Sequence, residues 1–179
     1  LAYGLSRKRI TISTSGITPQ IDQLSSEVDV SLAVSLHAPT NELRDELVPI
    51  NKKYPISELI NSCNKYLAFY NGKRSITIEY ILIDGVNDSE ELAKKLAKLL
   101  SKVSCKINLI PFNPFDGSDY KRSNNKNIEV FKRILINKGF ITTLRVTRGD
   151  AVDGACGQLV GKLAKSVKGK KLISHQLIS

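Results

Sequence analysis

Among the residues able to do chemistry, Cys156 has the most suggestive surroundings. It lies in the loop Arg148-Gly149-Asp150-Ala151-Val152-Asp153-Gly154-Ala155-Cys156-Gly157, where a thiol flanked by glycines ahead of a helix can be exposed and stabilised as thiolate. The other cysteines differ: Cys63 falls on the apolar face of a helical pattern and reads as core, and Cys105 precedes a strand, at the end away from the expected site. Three cysteines so widely spaced give neither a disulfide framework nor a metal-ligand set. No Cys/His/Asp hydrolase pattern accompanies Cys156, so thiol hydrolysis is not supported.

Polar residues of the right type also collect where strands are expected to end. Ser13-Thr14-Ser15-Gly16 could bind a carboxylate, a ribose or phosphate oxygens, or could simply make a turn. In Ser35-Leu36-His37-Ala38, His37 could position a sugar or donate to a carboxylate, or bond to a neighbouring loop. Pro111-Phe112-Asn113-Pro114-Phe115 restricts the backbone on both sides of an amide that offers donor and acceptor together, for an adenine edge, a ribose or a turn.

The elements that hold these residues follow from the apolar pattern. β-Branched runs at Arg9–Ser13, Val28–Leu36, Ser75–Ile83, Lys106–Phe112 and Ile141–Thr147 predict five strands. Between them, helices are predicted over Pro19–Ser26, Glu42–Val48, Ser57–Tyr70, Asp88 or Ser89 to Lys102, and Asn127–Asn137 stopped by Gly139, with a last helix over Gln158–Val167. This is the rhythm of parallel βα units. The nearly continuous apolar strands predict burial on both sheet faces, and ligand sites in such sheets lie at the carboxyl ends of strands.

Composition sets the outer bounds. The 179 residues, 41% hydrophobic and 25% charged, suit one globular domain, and Lys+Arg 27 against Asp+Glu 17 gives a net charge of +10 that favours a polyanionic partner, nucleic acid first. No apolar run of about 18 residues suggests a membrane span, and no secretory signal pattern opens the chain. The chain has no Met and starts at Leu1, which raises the expectation of a fragment.

Taken together, STSG (13–16), SLHAP (35–39), INLIPFNPF (107–115) and TRGD (147–150) followed by ACGQL (155–159) resemble the radical S-adenosylmethionine methyltransferases that methylate adenine C2 in 23S rRNA and tRNA. The phrases ELVPINKKYPI and IEYILIDGVND fit as well, and the likeness runs from about Tyr3 to Lys165. The related adenine-C8 methyltransferases share much of the pattern.

The resemblance implies an α/β fold, a partial (β/α)6 radical-SAM barrel truncated on its N-terminal side. Residues 1–167 would be the C-terminal part of the catalytic barrel with a C-terminal extension, and 168–179 a basic, frayed tail. Carried over position by position, Ser13, Ser35, Leu36, His37 and Asn113 would contact S-adenosylmethionine, with Ser15 a substitute for Ser13. Cys156 would become S-methylated and then deliver its methyl carbon as a radical, because adenine C2 is electron-poor and has no lone pair for a polar displacement. The adduct would be resolved by a second cysteine upstream, leaving a disulfide. The family's [4Fe-4S] cluster is held by a CxxxCxxC loop that this sequence lacks, so its ligands would lie outside the chain and no residue here is assigned to metal. Implied partners are 23S rRNA, tRNA and an electron donor, for a cytoplasmic monomer without membrane contact. Lys94, Lys95, Lys98, Lys102 and the lysines from Lys162 to Lys171 would neutralise phosphates or simply be solvated. A noncatalytic RNA-binding barrel fragment is the alternative of a different class, and a thiol-dependent redox enzyme, without a nearby resolving cysteine, ranks lowest.

Overall fold

The computed structural model describes residues 10–115 and 117–145. Five strands form one sheet in sequence order: β1 (Thr11–Thr14), β2 (Ser31–Ser35), β3 (Ile76–Leu82), β4 (Cys105–Pro111) and β5 (Thr142–Leu144). Every neighbouring pair is parallel, so all strand carboxyl ends open on one edge. The intervening helices are α1 (Thr18–Glu27), α2 (Asn41–Leu47), α3 (Ile56–Phe69), α4 (Glu90–Leu100) and α5 (Asn125–Asn137), with a 3-10 turn at Pro49–Lys52. This is the expected α/β order, with boundaries shifted by a few residues. The 3-10 turn was not anticipated.

Local chemistry accounts for several ends. The Ser89 hydroxyl accepts the Leu92 amide and caps α4, and Asn124 caps α5 through the Asn127 amide. Gly139 ends α5 at φ +89°, a conformation costly for residues with a Cβ. On α4, Leu96 and Leu100 are fully buried while Lys94, Lys95 and Lys98 stay exposed, as the helical spacing predicts.

The expectation of burial on both sheet faces needs correction. Ile76, Ile78, Tyr80 and Leu82 of β3 are buried against the helices, whereas Thr77, Glu79 and Ile81 on the opposite face are only half-buried. β4 repeats this, with Ile107 and Leu109 buried and Asn108 and Ile110 half-buried. One face packs on Leu59, Cys63 and Tyr66 of α3, Leu96 of α4 and Phe131 of α5. The other carries polar side chains and is available to a ligand, as the inner face of an incomplete barrel would be. β1, paired only with β2 among the described residues, leaves Ile10 and Ile12 exposed.

Residues from Val146 on, including Cys156, the expected Gln158–Val167 helix and the 168–179 tail, lie outside the described residues. No helix of the described residues is long and apolar enough to cross a membrane.

Candidate active site

The inner face places a polar row across the sheet. Ser35 of β2 is in register with Glu79 of β3, Glu79 with Asn108 of β4, and Asn108 with Thr143 of β5. The Ser13 hydroxyl of β1 reaches the same carboxylate: Ser13 Oγ donates to Glu79 Oε2 at 3.1 Å and Ser35 Oγ donates to that oxygen at 3.3 Å. Thr143 Oγ1 donates to Asn108 Oδ1 at 3.2 Å. Two of the expected site residues, Ser13 and Ser35, are thus joined by Glu79, a group sequence reasoning passed over. The signal was a charged residue in the middle of the β-branched run SITIEYILI.

Beyond β2 the chain turns sharply at His37, whose φ of +61° lies in the left-handed region. Two hydrogen bonds hold it there. His37 Nδ1 accepts the Ile81 amide at 3.2 Å, and the His37 carbonyl accepts Asn87 Nδ2 at 2.9 Å. Asn87, fully buried, also donates to the Ile81 carbonyl at 2.7 Å and accepts the Ile83 amide at 2.7 Å. With Nδ1 used as an acceptor, the neutral ring carries its proton on Nε2 and is a donor there. Burial, aided by the Arg44 charge, pushes the imidazole pKa down to about 4, so the ring is neutral at physiological pH.

Arg44 of α2 is buried completely, yet most of its donor bonds go to the two turns that follow β1 and β2. Nη2 donates to the Ser15 carbonyl at 2.6 Å and the Ser35 carbonyl at 3.3 Å, Nε to the Leu36 carbonyl at 3.0 Å, and Nη1 to Asn51 Oδ1 at 2.9 Å. Asn51 Nδ2 in turn donates to Asp45 Oδ1 at 2.6 Å. Burial pulls the Arg44 pKa down to about 10, with Asp45 opposing, which still leaves it charged at neutral pH. Gly16 makes room for it: a Cβ there would stand 3.0 Å from Arg44 Nη2, and φ is +109°. Arg44 lies in the charged helical stretch Glu42–Val48 and Asn51 just beyond it, where no sequence pattern marks either.

The remaining expected residues divide. Asn113 follows β4, where Phe112 is buried, packs on Phe115 and Tyr120, and ties its amide to the Leu82 carbonyl at 2.9 Å. The half-buried Asn113 amide forms no hydrogen bond among the described residues, which leaves it free for a ligand. The Leu36 side chain points into the core, and its amide and carbonyl are engaged by Glu79 and Arg44, so its contribution is to the backbone course of the turn. Cys63 and Cys105 are free thiols whose pKa values burial pushes up to about 12, consistent with unreactive packing. The disulfide implied by the resemblance finds no support among the described residues.

Over 160 residues the chain is 58% identical to the "Dual-specificity RNA methyltransferase RlmN" of Marinomonas sp. (strain MWYL1), an alignment covering 89% of this chain and 43% of that protein. It is 55% identical over 163 residues to the protein of the same name from Pseudomonas putida (strain W619), covering 91% and 43%. The chain is thus similar to one segment of proteins so named. It spans less than half the length of these curated relatives. A solved radical SAM methyltransferase from Sphaerobacter thermophilus superposes with a TM-score of 0.81 at 48% identity, over 85% of this chain and 44% of that one. Only the fold is shared with a domain of a pyruvate-formate lyase-activating enzyme from Bacteroides vulgatus ATCC 8482, at a TM-score of 0.59 and 16% identity over 76% of this chain and 80% of that one. No protein-family model matches the chain. The polar mouth of this segment combines a carboxylate, hydroxyls, a neutral imidazole donor and the Asn113 amide.

Proposed function

We propose that this chain is the cofactor-binding and methyl-carrying part of a radical S-adenosylmethionine enzyme that methylates adenine C2 in 23S rRNA and tRNA, in the cytoplasm and with an external electron donor. The observation that supports it most is the gathering of Ser13, Ser35 and His37 around Glu79 and Ile81 of β3, beside the Asn113 turn, at the carboxyl edge of a parallel sheet.

The donor set fits S-adenosylmethionine. When bound, that group supplies the methyl carbon and, together with an iron–sulfur cluster, the radical chemistry that an electron-poor ring carbon demands. The chain's own residues bind and orient. Ser13 and Ser35 offer hydroxyl oxygens, His37 presents Nε2–H from a ring fixed at Nδ1, and Asn113 can pair with an adenine edge through its amide. Arg44 holds the Ser15 and Leu36 carbonyls, so the two binding loops keep a set spacing before any ligand arrives. Cys156 is assigned as methyl carrier from its ACGQL context.

The cluster does not fit the residues of this chain. Among the described residues no group of three His, Cys, Asp or Glu could hold a metal ion, and the cysteines at 63, 105 and 156 lack the CxxxCxxC spacing. No step is assigned here to cluster ligation.

The test uses the full-length protein and S-adenosylmethionine carrying a labelled methyl group. Wild type is expected to label both the protein and RNA adenine, and Cys156→Ala to label neither. Normal methyladenosine from the variant would overturn the assignment of Cys156, and methyl found on C8 instead of C2 would overturn the stated position.

A further inference from the structure

The geometry points to Glu79 as a further cofactor-positioning residue, one that fixes Ser13 and Ser35 as hydrogen-bond acceptors and offers its own second oxygen to a donor group of the ligand. The inference rests on the reading of this edge as the S-adenosylmethionine site.

A hydroxyl has one proton to give. Ser13 and Ser35 both give theirs to Glu79 Oε2, so what each presents to the open face is lone pairs. Glu79 Oε1 forms no hydrogen bond among the described residues, and Asn108, its register partner, has its carbonyl oxygen already engaged by Thr143. The result is a cluster of acceptors bearing one negative charge on the half-buried inner face. Acceptors of this kind favour a ligand group rich in donors and reject an anionic one. Outside its base, S-adenosylmethionine has two such groups, the vicinal hydroxyls of its ribose and its ammonium. A methionine carboxylate would be repelled, so Glu79 also sets which way round the ligand enters.

A carboxylate interior to a strand needs a reason, because a Val or Ile at this position would suit the β-structure better. The surrounding hydrogen bonds do not supply it. Two exposed or half-buried serines satisfied by water would stabilise the sheet as well.

Calorimetric titrations of the full-length protein test this with three ligands: S-adenosylmethionine, 5′-methylthioadenosine, which keeps the ribose diol but lacks the ammonium, and adenine, which lacks both. Glu79→Gln preserves size, and unfolding curves confirm that the variant is folded. It is expected to weaken S-adenosylmethionine binding by roughly 10- to 100-fold, the loss of a hydrogen bond to a charged group, and to leave adenine within about twofold. An equal loss for 5′-methylthioadenosine identifies the diol as the partner, and a loss confined to S-adenosylmethionine identifies the ammonium. Unchanged affinity for S-adenosylmethionine, or an equal loss for adenine, would overturn the proposal by showing that Glu79 is idle or merely structural. In Ser13→Ala/Ser35→Ala protein the further effect of Glu79→Gln should shrink, since the groups act together; full additivity would count against it. Failure of wild type to bind S-adenosylmethionine would instead sink the functional reading itself.

Discussion

The Nδ1 of His37 accepts the backbone amide of Ile81 at 3.2 Å, joining the turn after β2 to the last part of β3. The bond fixes the ring's tautomer and orientation together. A ring so placed is a donor at Nε2, and protonating Nδ1 would set two donors face to face. The fold therefore resists the imidazolium.

This gives a pH prediction. The folded pKa of His37 lies near 4, below the ordinary 6.5, so on acidification the unfolded chain takes up the proton first. The stabilisation is complete above pH 6.5 and declines as pH falls toward 4, by up to about 3 kcal/mol. Urea unfolding of wild type and His37→Ala across this range should show the wild type losing more stability than the variant. Parallel losses would show that His37 is not the group responsible.

His37→Ala should also weaken S-adenosylmethionine binding at neutral pH by about tenfold, through loss of the oriented Nε2–H. Calorimetry that finds unchanged affinity would remove His37 from the site.

Arg44 should be among the least replaceable residues in the fold. Arg44→Ala strands the Ser15, Ser35 and Leu36 carbonyls and Asn51 without their donor and leaves a cavity, at a cost of about 3–5 kcal/mol. Arg44→Lys should recover only a small part, because an ammonium cannot reproduce the planar fork. Unfolding free energies from denaturant titration within about 0.5 kcal/mol of wild type for either variant would contradict this.

Asn87 is predicted to matter for a related reason. Asn87→Asp sets a carboxylate against the His37 and Ile81 carbonyls, which now receive Nδ2, and should destabilise by about 2–4 kcal/mol. A melting temperature like that of wild type would refute it.

These residues mark the limit of what the sequence disclosed. β3 and β4 were legible because their β-branched runs are long, and the strand-end residues Ser13, Ser35, His37 and Asn113 could be located by the rule that parallel sheets bind ligands at their carboxyl ends. Glu79 escaped because a run read as buried on both faces leaves no face for a carboxylate; the open inner face supplies one. Arg44 escaped because its spacing among Glu42, Asp45 and Glu46 is that of a solvated helix, and only the tertiary approach of Gly16 shows that it points inward. Asn87, in the loop before α4, gave no periodic signal at all. The site's serines and histidine were readable as types, whereas the groups that orient them are long-range contacts between separate βα units.

The central claim is that one edge of the sheet receives both S-adenosylmethionine and the Cys156 thiol. A crystal structure of the full-length protein with S-adenosylmethionine tests it most directly. The account predicts ligand density within hydrogen-bonding distance of Ser35, His37 and Asn113, with Cys156 Sγ facing that density. Density elsewhere, or Cys156 held at the amino ends of the strands beside Cys105, would contradict it.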